Sequence, residues 1–195
     1  LARDVAGSAN IDTTASAYAG GLISALRAVY GDAGIGIASH ADLKAADVVV
    51  VIGADPSQKK QTMQEADVMI RRRAQAGAKV IVVSTEKTDL AHHANAILLQ
   101  LKAGTDTVLL AGLMSAALAE GAVPSAKGLD ALKKSLVAVD AAASASGVSG
   151  EQITLAAKAY AAAKNPVVVI GTGISASEEA STQALNLALL KNAGV

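Results

Sequence analysis

The sequence of 195 residues lacks cysteine, phenylalanine and tryptophan, and three tyrosines supply its whole aromatic content of 2%. Without cysteine the chain has no disulfide, no cysteine-ligated iron–sulfur cluster and no thiolate nucleophile. With so few aromatic rings it offers little surface on which nucleobases or flat cofactors can stack. The core must therefore consist of alanine, valine, leucine and isoleucine.

The chain also lacks an excess of either charge, since 17 basic residues balance 17 acidic ones. Non-specific nucleic-acid binding needs a positive surface, so we expect no nucleic-acid partner. The one basic run, Arg71 to Arg73, is typical of a solvated helix face. The sequence has no stretch of roughly 20 apolar residues, the length needed to cross a bilayer, and no charged and apolar opening segment, so we expect no signal peptide and a soluble protein without direct membrane insertion.

Hydrophobic residues make up 52% of the chain, and they cluster in short β-branched runs. Runs that are apolar at every position predict strands covered on both faces, as in a parallel sheet. Such runs occupy residues 47–53, 79–83 and 166–171, and weaker strands are predicted at 34–38 and 96–101. Helical patterns alternate with them, which predicts an α/β fold with a doubly wound, mostly parallel sheet flanked by helices.

Five helices are predicted from apolar periodicity and from capping residues. They cover residues 63–74 with a stop at Gly77, residues 105–120, residues 126–143 after Pro124 and a Ser125 cap, residues 149–163 with a Ser149–Gln152 capping box, and a last helix opened by Ser175 with Glu178.

The alanine- and serine-rich stretch 141–147 is the best linker candidate. We therefore predict a domain over residues 1–140, with residues 141–195 adding a helix, a strand and a helix to the same sheet. Both ends of the sequence suggest a piece of a longer polypeptide.

The turns after the predicted strands are the candidate binding positions, because ligands of open α/β sheets bind at the carboxyl ends of the strands. Residues 171–176 fit the G-x-G-x-x-A form of the dinucleotide fingerprint, but the acidic residue expected about twenty positions on is not present. The pattern therefore predicts either a phosphate-binding loop or a tight strand-to-helix turn. Asp55 can cap a helix that starts at Pro56, and Thr105 can cap the next. Lys102, just before Thr105, either meets an anion or simply keeps the surface soluble.

No catalytic constellation emerges from the remaining polar residues. His92 and His93 are adjacent, so on a helix they point about 100° apart and cannot chelate one metal ion. His40 is expected in a loop after the first strand. The sequence contains neither a nucleophile elbow nor a Walker loop. We therefore predict no catalytic residue and no metal ligand.

Six motifs in order resemble the molybdopterin-binding part of the large subunits of molybdopterin oxidoreductases. The likeness covers essentially the whole chain and extends to formate dehydrogenase catalytic subunits and to the large iron–sulfur subunit of bacterial NADH-quinone oxidoreductase. The motifs are LARDVAGSANID at residues 1–12, DVVVVIGADP at 47–56 after Asp42 and Leu43, AGAKVIVV at 76–83, LKAGTD at 101–106, the stretch from Val148 to Gly173, and LALLKNAG at 187–194.

The resemblance implies that the strand-end turns hold the nucleotide parts of a molybdopterin guanine dinucleotide. The implied contacts are Gly53, Asp55, Pro56, Gly104, Thr105, Asp106, Gly171 and Gly173. Three departures suggest that this site is vestigial. The metal-ligating cysteine or selenocysteine of formate dehydrogenases and the histidine after it are replaced by Tyr18 and Ala19, and the cysteine pair by Thr13 and Thr14. Glu86 stands in the turn where the family has an arginine, and its carboxylate repels a diphosphate.

These losses match the large iron–sulfur subunit of NADH-quinone oxidoreductase best. The resemblance then implies a scaffold domain without its own redox centre, with the iron–sulfur clusters upstream and the other subunits of a respiratory or dehydrogenase complex as partners. We expect a cytoplasmic protein peripheral to the inner membrane. Two alternatives stay open: a formate dehydrogenase-like subunit that binds the dinucleotide, and a nucleotide-binding central domain of a thiamine-diphosphate enzyme, for which a six-stranded sheet is expected.

Overall fold

The computed structural model describes residues 5, 7, 14–31, 37–57, 63–122 and 129–195. Helices alternate with the strands in the middle of this chain, as the sequence predicts, and four helices follow one another before the last strand. In chain order they are α1 (Thr14–Tyr30), α2 (His40–Ala45), β1 (Val48–Ile52), α3 (Gln64–Gln75), β2 (Lys79–Ser84), a 3₁₀ turn (Asp89–His92), β3 (Ala96–Gln100), α4 (Asp106–Ala119), α5 (Leu129–Ser135), α6 (Val139–Ser146), α7 (Gly150–Ala162), β4 (Pro166–Ile170), α8 (Thr172–Ser175) and α9 (Glu178–Leu190).

The four strands of the described chain form one parallel sheet in the order β3-β2-β1-β4. In register, Val50 lies between Ile81 of β2 and Val168 of β4. All five residues of β1 are buried, because helices cover both faces of the sheet. The predicted α/β class and the strands at 47–53, 79–83, 96–101 and 166–171 are thereby confirmed.

Alternate residues of each strand enter two separate cores. Val50 and Ile81 face the larger core, which contains buried side chains of α4, α7 and α9. Val49 and Val82 face the smaller core, with Ile70 of α3. The sheet is therefore doubly wound.

Small side chains set the close packing of the helices in the larger core. A Cβ on Gly112 of α4 would lie 2.3 Å from the Cβ of Ala142 on α6, so these two helices approach almost backbone to backbone. Tyr160 of α7 is fully buried, and its hydroxyl donates to the carbonyl of Leu187 on α9 at 2.6 Å. Alanine-rich helices thus fill the space that aromatic rings occupy in many cores.

Two predictions for the segment between α4 and α7 are wrong. The predicted helix 126–143 is broken, since α5 ends at Ser135 and α6 begins at Val139, while residues 123–128, with Pro124 and Ser125, lie outside the described chain. The predicted linker 141–147 is most of α6 and its left-handed cap at Gly147. An alanine- and serine-rich composition suits an exposed linker and a helix alike, and the burial of Ala142 against α4 decides in favour of the helix.

The last helix begins two residues later than predicted. Ser177, and not Ser175, is its N-cap, and its hydroxyl accepts from the N–H of Ala180 at 3.2 Å. The hydroxyl of Ser175 instead donates to the carbonyl of Tyr18 on α1. Either serine has a glutamate close behind it, so local pattern alone does not separate them.

The predicted weak strand at 34–38 is also wrong where the structure describes it. Ile37 and Ala38 belong to no strand, although the N–H of Ala38 donates to the carbonyl of Val195 at 2.7 Å. Residues 34–36 lie outside the described chain. The pairing of β4 with β1 places the C-terminal segment in the same sheet as the rest, and the division at residue 140 stays a prediction.

The capping box at the start of α7 offers a direct test of the local assignment. Ser149 accepts from the N–H of Gln152 at 3.2 Å, and the Gln152 side chain accepts in return from the N–H of Ser149. We expect Ser149→Ala to lower the free energy of unfolding by about 1 kcal/mol, because the helix loses a cap. Urea denaturation measures it. The matched change Ser144→Ala, at an exposed position inside α6, should be neutral or slightly stabilising, and an equal loss in both variants would contradict the assignment.

Candidate functional site

A cleft of about 310 Å³ lies at the carboxyl ends of β1 and β2, opposite the N-terminus of α4. Its walls are the turns after β1, β2 and β4 together with the turn that leads into α4. Strand order reverses between β1 and β4, so the cleft lies beside the switch point at which open α/β sheets usually bind ligands. Its lining residues are Gly53, Ala54, Asp55, Ser84, Thr85, Glu86, Lys87, Thr88, Ala103, Gly104, Asp106, Thr172 and Gly173.

The structure brings most of the predicted contact residues together in this cleft. Five of the eight line it, namely Gly53, Asp55, Gly104, Asp106 and Gly173. Pro56, Thr105 and Gly171 stand directly beside lining residues but are not part of the wall. The sequence therefore located the cleft, while the cofactor contacts themselves stay a prediction.

The glycines of the fingerprint pack against the turn that follows β1. The N–H of Gly171 donates to the carbonyl of Ile52 at 2.9 Å, and the N–H of Gly173 donates to the carbonyl of Gly53 at 2.9 Å. A Cβ on Gly171 would lie 2.3 Å from the carbonyl oxygen of Gly53. The close approach of the two turns thus explains these glycines, and both N–H groups are already bonded inside the protein. The structure agrees with the interpretation as a tight strand-to-helix turn.

Asp55 does not cap a helix that starts at Pro56. Its carboxylate accepts from the N–H of Ser57 at 3.2 Å and from the Ser57 hydroxyl, which closes a turn at Pro56 and Ser57. Residues 58–62 lie outside the described chain, and α3 begins at Gln64. The prediction failed because an aspartate before a proline closes an isolated turn as readily as it opens a helix.

Thr105 occupies the N-cap position of α4, as predicted, but its hydroxyl donates to the carbonyl of Lys102 at 2.6 Å and accepts no helix N–H. Asp106 is the first residue of α4 and is half-buried in the cleft wall, and this burial raises the pKa of its carboxyl. The Lys102 side chain instead runs along Gly147, with its Cε 3.1 Å from the place of a Cβ there. Lys102, for which the sequence left open an anion contact or a plain surface role, is therefore not part of the cleft wall.

The charges in the cleft wall are mostly negative. Asp55, Glu86 and Asp106 contribute three carboxylates, and Lys87 contributes one ammonium, which leaves a net charge of minus two. The N–H of Glu86 donates to the Ser84 hydroxyl at 3.2 Å, so a local turn holds this residue in the wall. A diphosphate in the cleft would meet carboxylates on three of the turns around it, and like charges repel each other.

Thr88 is a cleft residue that sequence reasoning did not find. Its side chain is only 4% exposed, and its hydroxyl has no hydrogen-bond partner among the described residues. Buried hydroxyls are normally bonded, since leaving one unpaired costs about 1–3 kcal/mol. No sequence signal marks it, because a threonine in a turn is common.

Tyr18 and Ala19, which the sequence resemblance set against the metal ligand and the histidine of formate dehydrogenases, lie on α1. Tyr18 is 61% exposed, and its carbonyl accepts from Ser175, which places this part of α1 beside the turn after β4. Tyr18 and its neighbour Ala19 are not part of the cleft wall. Thr13 and the Thr14 side chain lie outside what the structure describes.

Two of the three histidines lie near charged side chains. His93 lies 3.4 Å from a guanidinium nitrogen of Arg71, and His40 lies 3.4 Å from the Glu65 carboxylate. The expected loop position of His40 after the first strand is wrong, because His40 is the first residue of α2, which precedes β1. Across the described ranges, no three histidine or acidic side chains are grouped so that they could hold a metal ion. In the same ranges no helix is long and apolar enough to cross a bilayer.

Comparison with known proteins gives a structural and a family match. Acetylene hydratase from Pelobacter acetylenicus has a similar fold, with a TM-score of 0.73 and 21% sequence identity over 90% of this chain. The matched part is 25% of that enzyme, so this chain spans about a quarter of its length. A search of curated protein sequences finds no match. The model of the molybdopterin oxidoreductase family matches residues 5–193, nearly the whole chain, and the protein therefore belongs to the molybdopterin oxidoreductase family.

Proposed function

We propose that this chain is a scaffold domain without a redox centre of its own, most like the domain in the large iron–sulfur subunit of NADH-quinone oxidoreductase. The net negative charge of the cleft carries the proposal. The family cofactor brings a diphosphate, and the cleft at the ends of β1 and β2 meets it with Asp55, Glu86 and Asp106. A fold kept intact around a site that repels the family ligand supports a structural role.

The residues present do not fit a molybdopterin guanine dinucleotide. The N–H groups of Gly171 and Gly173, which a diphosphate-binding loop would offer to the ligand, are bonded to carbonyls of the neighbouring turn. Tyr18 supplies neither a thiolate nor a selenolate for the metal, and its side chain is largely exposed. Among the described residues, the two glycine N–H groups and Tyr18 thus offer neither a diphosphate contact nor a metal ligand.

In this proposal the domain supports its parent enzyme in the transfer of electrons from NADH to quinone. The iron–sulfur clusters that carry these electrons belong to other parts of the parent protein, since this chain has no cysteine to ligate them. The partners are other subunits of the same complex, at the cytoplasmic side of the inner membrane. These assignments rest on the likeness to the large iron–sulfur subunit of NADH-quinone oxidoreductase.

A formate dehydrogenase-like subunit is the second candidate. It is favoured by one observation, that the turns after β1, β2 and β4 meet the N-terminus of α4 in a single cleft of about 310 Å³. A helix N-terminus attracts anions, and the volume lies at the lower end of the range for small-molecule sites. The third candidate, a thiamine-diphosphate enzyme domain, does not agree with the family match over residues 5–193.

Metal and pterin analysis separates the first two candidates. We expect the full-length protein, purified from cells supplied with molybdate and tungstate, to contain far less than one equivalent of either metal. Oxidised extracts should show no pterin fluorescence. Stoichiometric metal together with pterin would overturn the scaffold proposal in favour of the formate dehydrogenase type.

Titration with GDP tests the charge argument directly. We expect a Kd weaker than about 1 mM for the unaltered protein, because the carboxylates repel the diphosphate. Glu86→Arg should tighten GDP binding about tenfold or more, since a guanidinium pairs with phosphate. The matched change Glu179→Arg, at an exposed position on α9, should leave binding unchanged. Tight GDP binding by the unaltered protein would contradict the argument.

A further inference from the structure

A positively charged surface lies at the opposite end of the sheet from the cleft, around the start of β1. Its five basic side chains come from four segments, namely the ends of α2 and α3, the start of β2 and the link into β4. We call this surface the basic face, and its members are Lys44, Arg72, Arg73, Lys79 and Lys164. No ion pair joins any of them to an acidic side chain of the described residues.

Hydrogen bonds to the residues just before β1 bring these segments together. The N–H of Lys79 donates to the carbonyl of Asp47 at 3.0 Å, and the N–H of Lys164 donates to the Asp47 carboxylate at 2.7 Å. The Arg73 guanidinium donates to the carbonyl of Ala46 at 2.8 Å. The fold thus holds cations from distant parts of the sequence beside one another.

The two carboxylates of the basic face serve their own turns. Asp47 accepts from the N–H groups of Lys164 and Asn165, at 2.7 and 2.9 Å. Asp42 accepts from the N–H and from the hydroxyl of Ser39, both at 2.7 Å, and so completes the cap of α2. The five cations and these two carboxylates leave the basic face with a net charge of plus three.

Helix stabilisation explains only part of this charge. Three of the cations lie in the last turns of α2 and α3, where a cation offsets the negative end of a helix. Lys79 begins a strand, and its exposed ammonium reaches only the amide oxygen of Asn95, at 3.5 Å. Lys164 is also exposed, and its ammonium has no hydrogen bond within the part of the chain that the structure describes. A surface that gathers cations without local partners is typical of a docking site for a negatively charged molecule.

We propose that the basic face binds an acidic segment of a neighbouring protein chain, whose aspartate and glutamate side chains pair with these cations. A cleft of about 340 Å³, lined by Lys164 and Asn165, adjoins the basic face and has room for one such side chain. Complementary charge of this kind speeds association and fixes orientation. The choice of a protein as the partner rests on the proposed scaffold role within a complex.

The charge pattern favours protein carboxylates over a nucleic acid or a lipid surface. A phosphate backbone carries a charge at every step and would also meet Asp42 and Asp47, whereas carboxylates on a protein can be spaced to match the cations. The chain as a whole has no net charge, and the cleft at its other end is negative. Its long-range attraction to a polyanion is therefore weak.

Fluorescence anisotropy of a dye-labelled hexaglutamate peptide, titrated with the protein at low ionic strength, tests the proposal. We expect saturable binding that weakens as salt is added, because salt screens exposed ion pairs. The double variant Lys79→Gln/Lys164→Gln should weaken binding about fivefold, since two ion pairs are lost. The matched double variant Lys133→Gln/Lys134→Gln removes the same charge from exposed positions on α5, and it should leave the Kd unchanged.

Equal weakening in both double variants would overturn the proposal, because net charge alone would then govern binding. Absence of saturable binding would overturn it too, as would tighter binding of hexathymidylate or of phosphatidylglycerol vesicles than of the peptide. Both variants should keep the urea midpoint of the unaltered protein, and a loss confined to Lys79→Gln/Lys164→Gln would assign these lysines a structural role instead. Metal and pterin content, which decides the scaffold proposal, does not enter this measurement.

Discussion

Replacing Gly171 with alanine should lower the free energy of unfolding by about 3 kcal/mol or more, because the new methyl group collides with backbone. Its Cβ would lie 2.3 Å from the carbonyl oxygen of Gly53 and 2.6 Å from the Cα of Ala54. Neither atom is the end of a flexible side chain, so the two turns must separate. The hydrogen bonds from Gly171 to Ile52 and from Gly173 to Gly53 would weaken with them.

Urea denaturation of a graded pair of variants checks this expectation. A Cβ on Gly173 would lie 2.8 Å from the same carbonyl oxygen of Gly53, so Gly173→Ala should cost less than Gly171→Ala. The order of the two losses follows from the contact distances alone. If Gly171→Ala were as stable as the unaltered protein, the packing of the two turns described above would be wrong.

The main architecture was predictable from the sequence because a strand that is buried on both faces consists of apolar residues at every position. Strand β1 consists of four valines and an isoleucine, and every one of its side chains is buried. Helix α4 has buried residues on all sides, yet its length and the threonine before it still marked it correctly. Where burial determines nearly every residue of a segment, the composition of that segment predicts its structure.

The wrong predictions share a different cause. In each case the structure of the segment depends on contacts with residues that are far away in the sequence. Ala142 belongs to a helix because Gly112 leaves room for it, and the stretch around it resembles a linker when considered alone. Ser175 looks like an N-cap when only its neighbours in the sequence are considered. Its hydroxyl in fact donates to the carbonyl of Tyr18, which is far away in the chain. The local sequence likewise gives no sign that the hydroxyl of Thr88 lacks a hydrogen-bond partner among the described residues.

The sequence predicted where the candidate site lies, but it did not predict what the glycine turns of the site contact. Rules for parallel sheets indicated the turns after the strands, and five predicted residues do line one cleft. The fingerprint glycines leave open whether their N–H groups face a ligand or another turn. Strand order decides this, because β4 lies beside β1 and brings Gly171 against the Ile52 carbonyl. A glycine pattern thus indicates that something lies close to the backbone, but it does not show whether this is a ligand or another turn of the protein.

Two adjacent glycines of α1 should respond to the same substitution with opposite signs. A Cβ on Gly21 would lie 2.5 Å from the carbonyl oxygen of Ala176 and from the nitrogen of Glu178, both of them backbone atoms at the turn from α8 into α9. We expect Gly21→Ala to destabilise the protein by about 2–3 kcal/mol, because α1 is pushed away from that turn. At Gly20 nothing lies within 4 Å of the new Cβ, and alanine there should stabilise by about 0.5–1 kcal/mol through helix propensity.

Urea denaturation of the two variants gives the signs, and the pair is its own control because both changes raise helix propensity equally. Stabilisation by both would show that α1 does not rest on the α8–α9 turn. The outcome also bears on the site, because α1 carries Tyr18 and the Ser175 hydroxyl bonds its carbonyl. Displacing α1 therefore moves Tyr18, and amide signals of Tyr18 and Ser175 should shift in Gly21→Ala but not in Gly20→Ala.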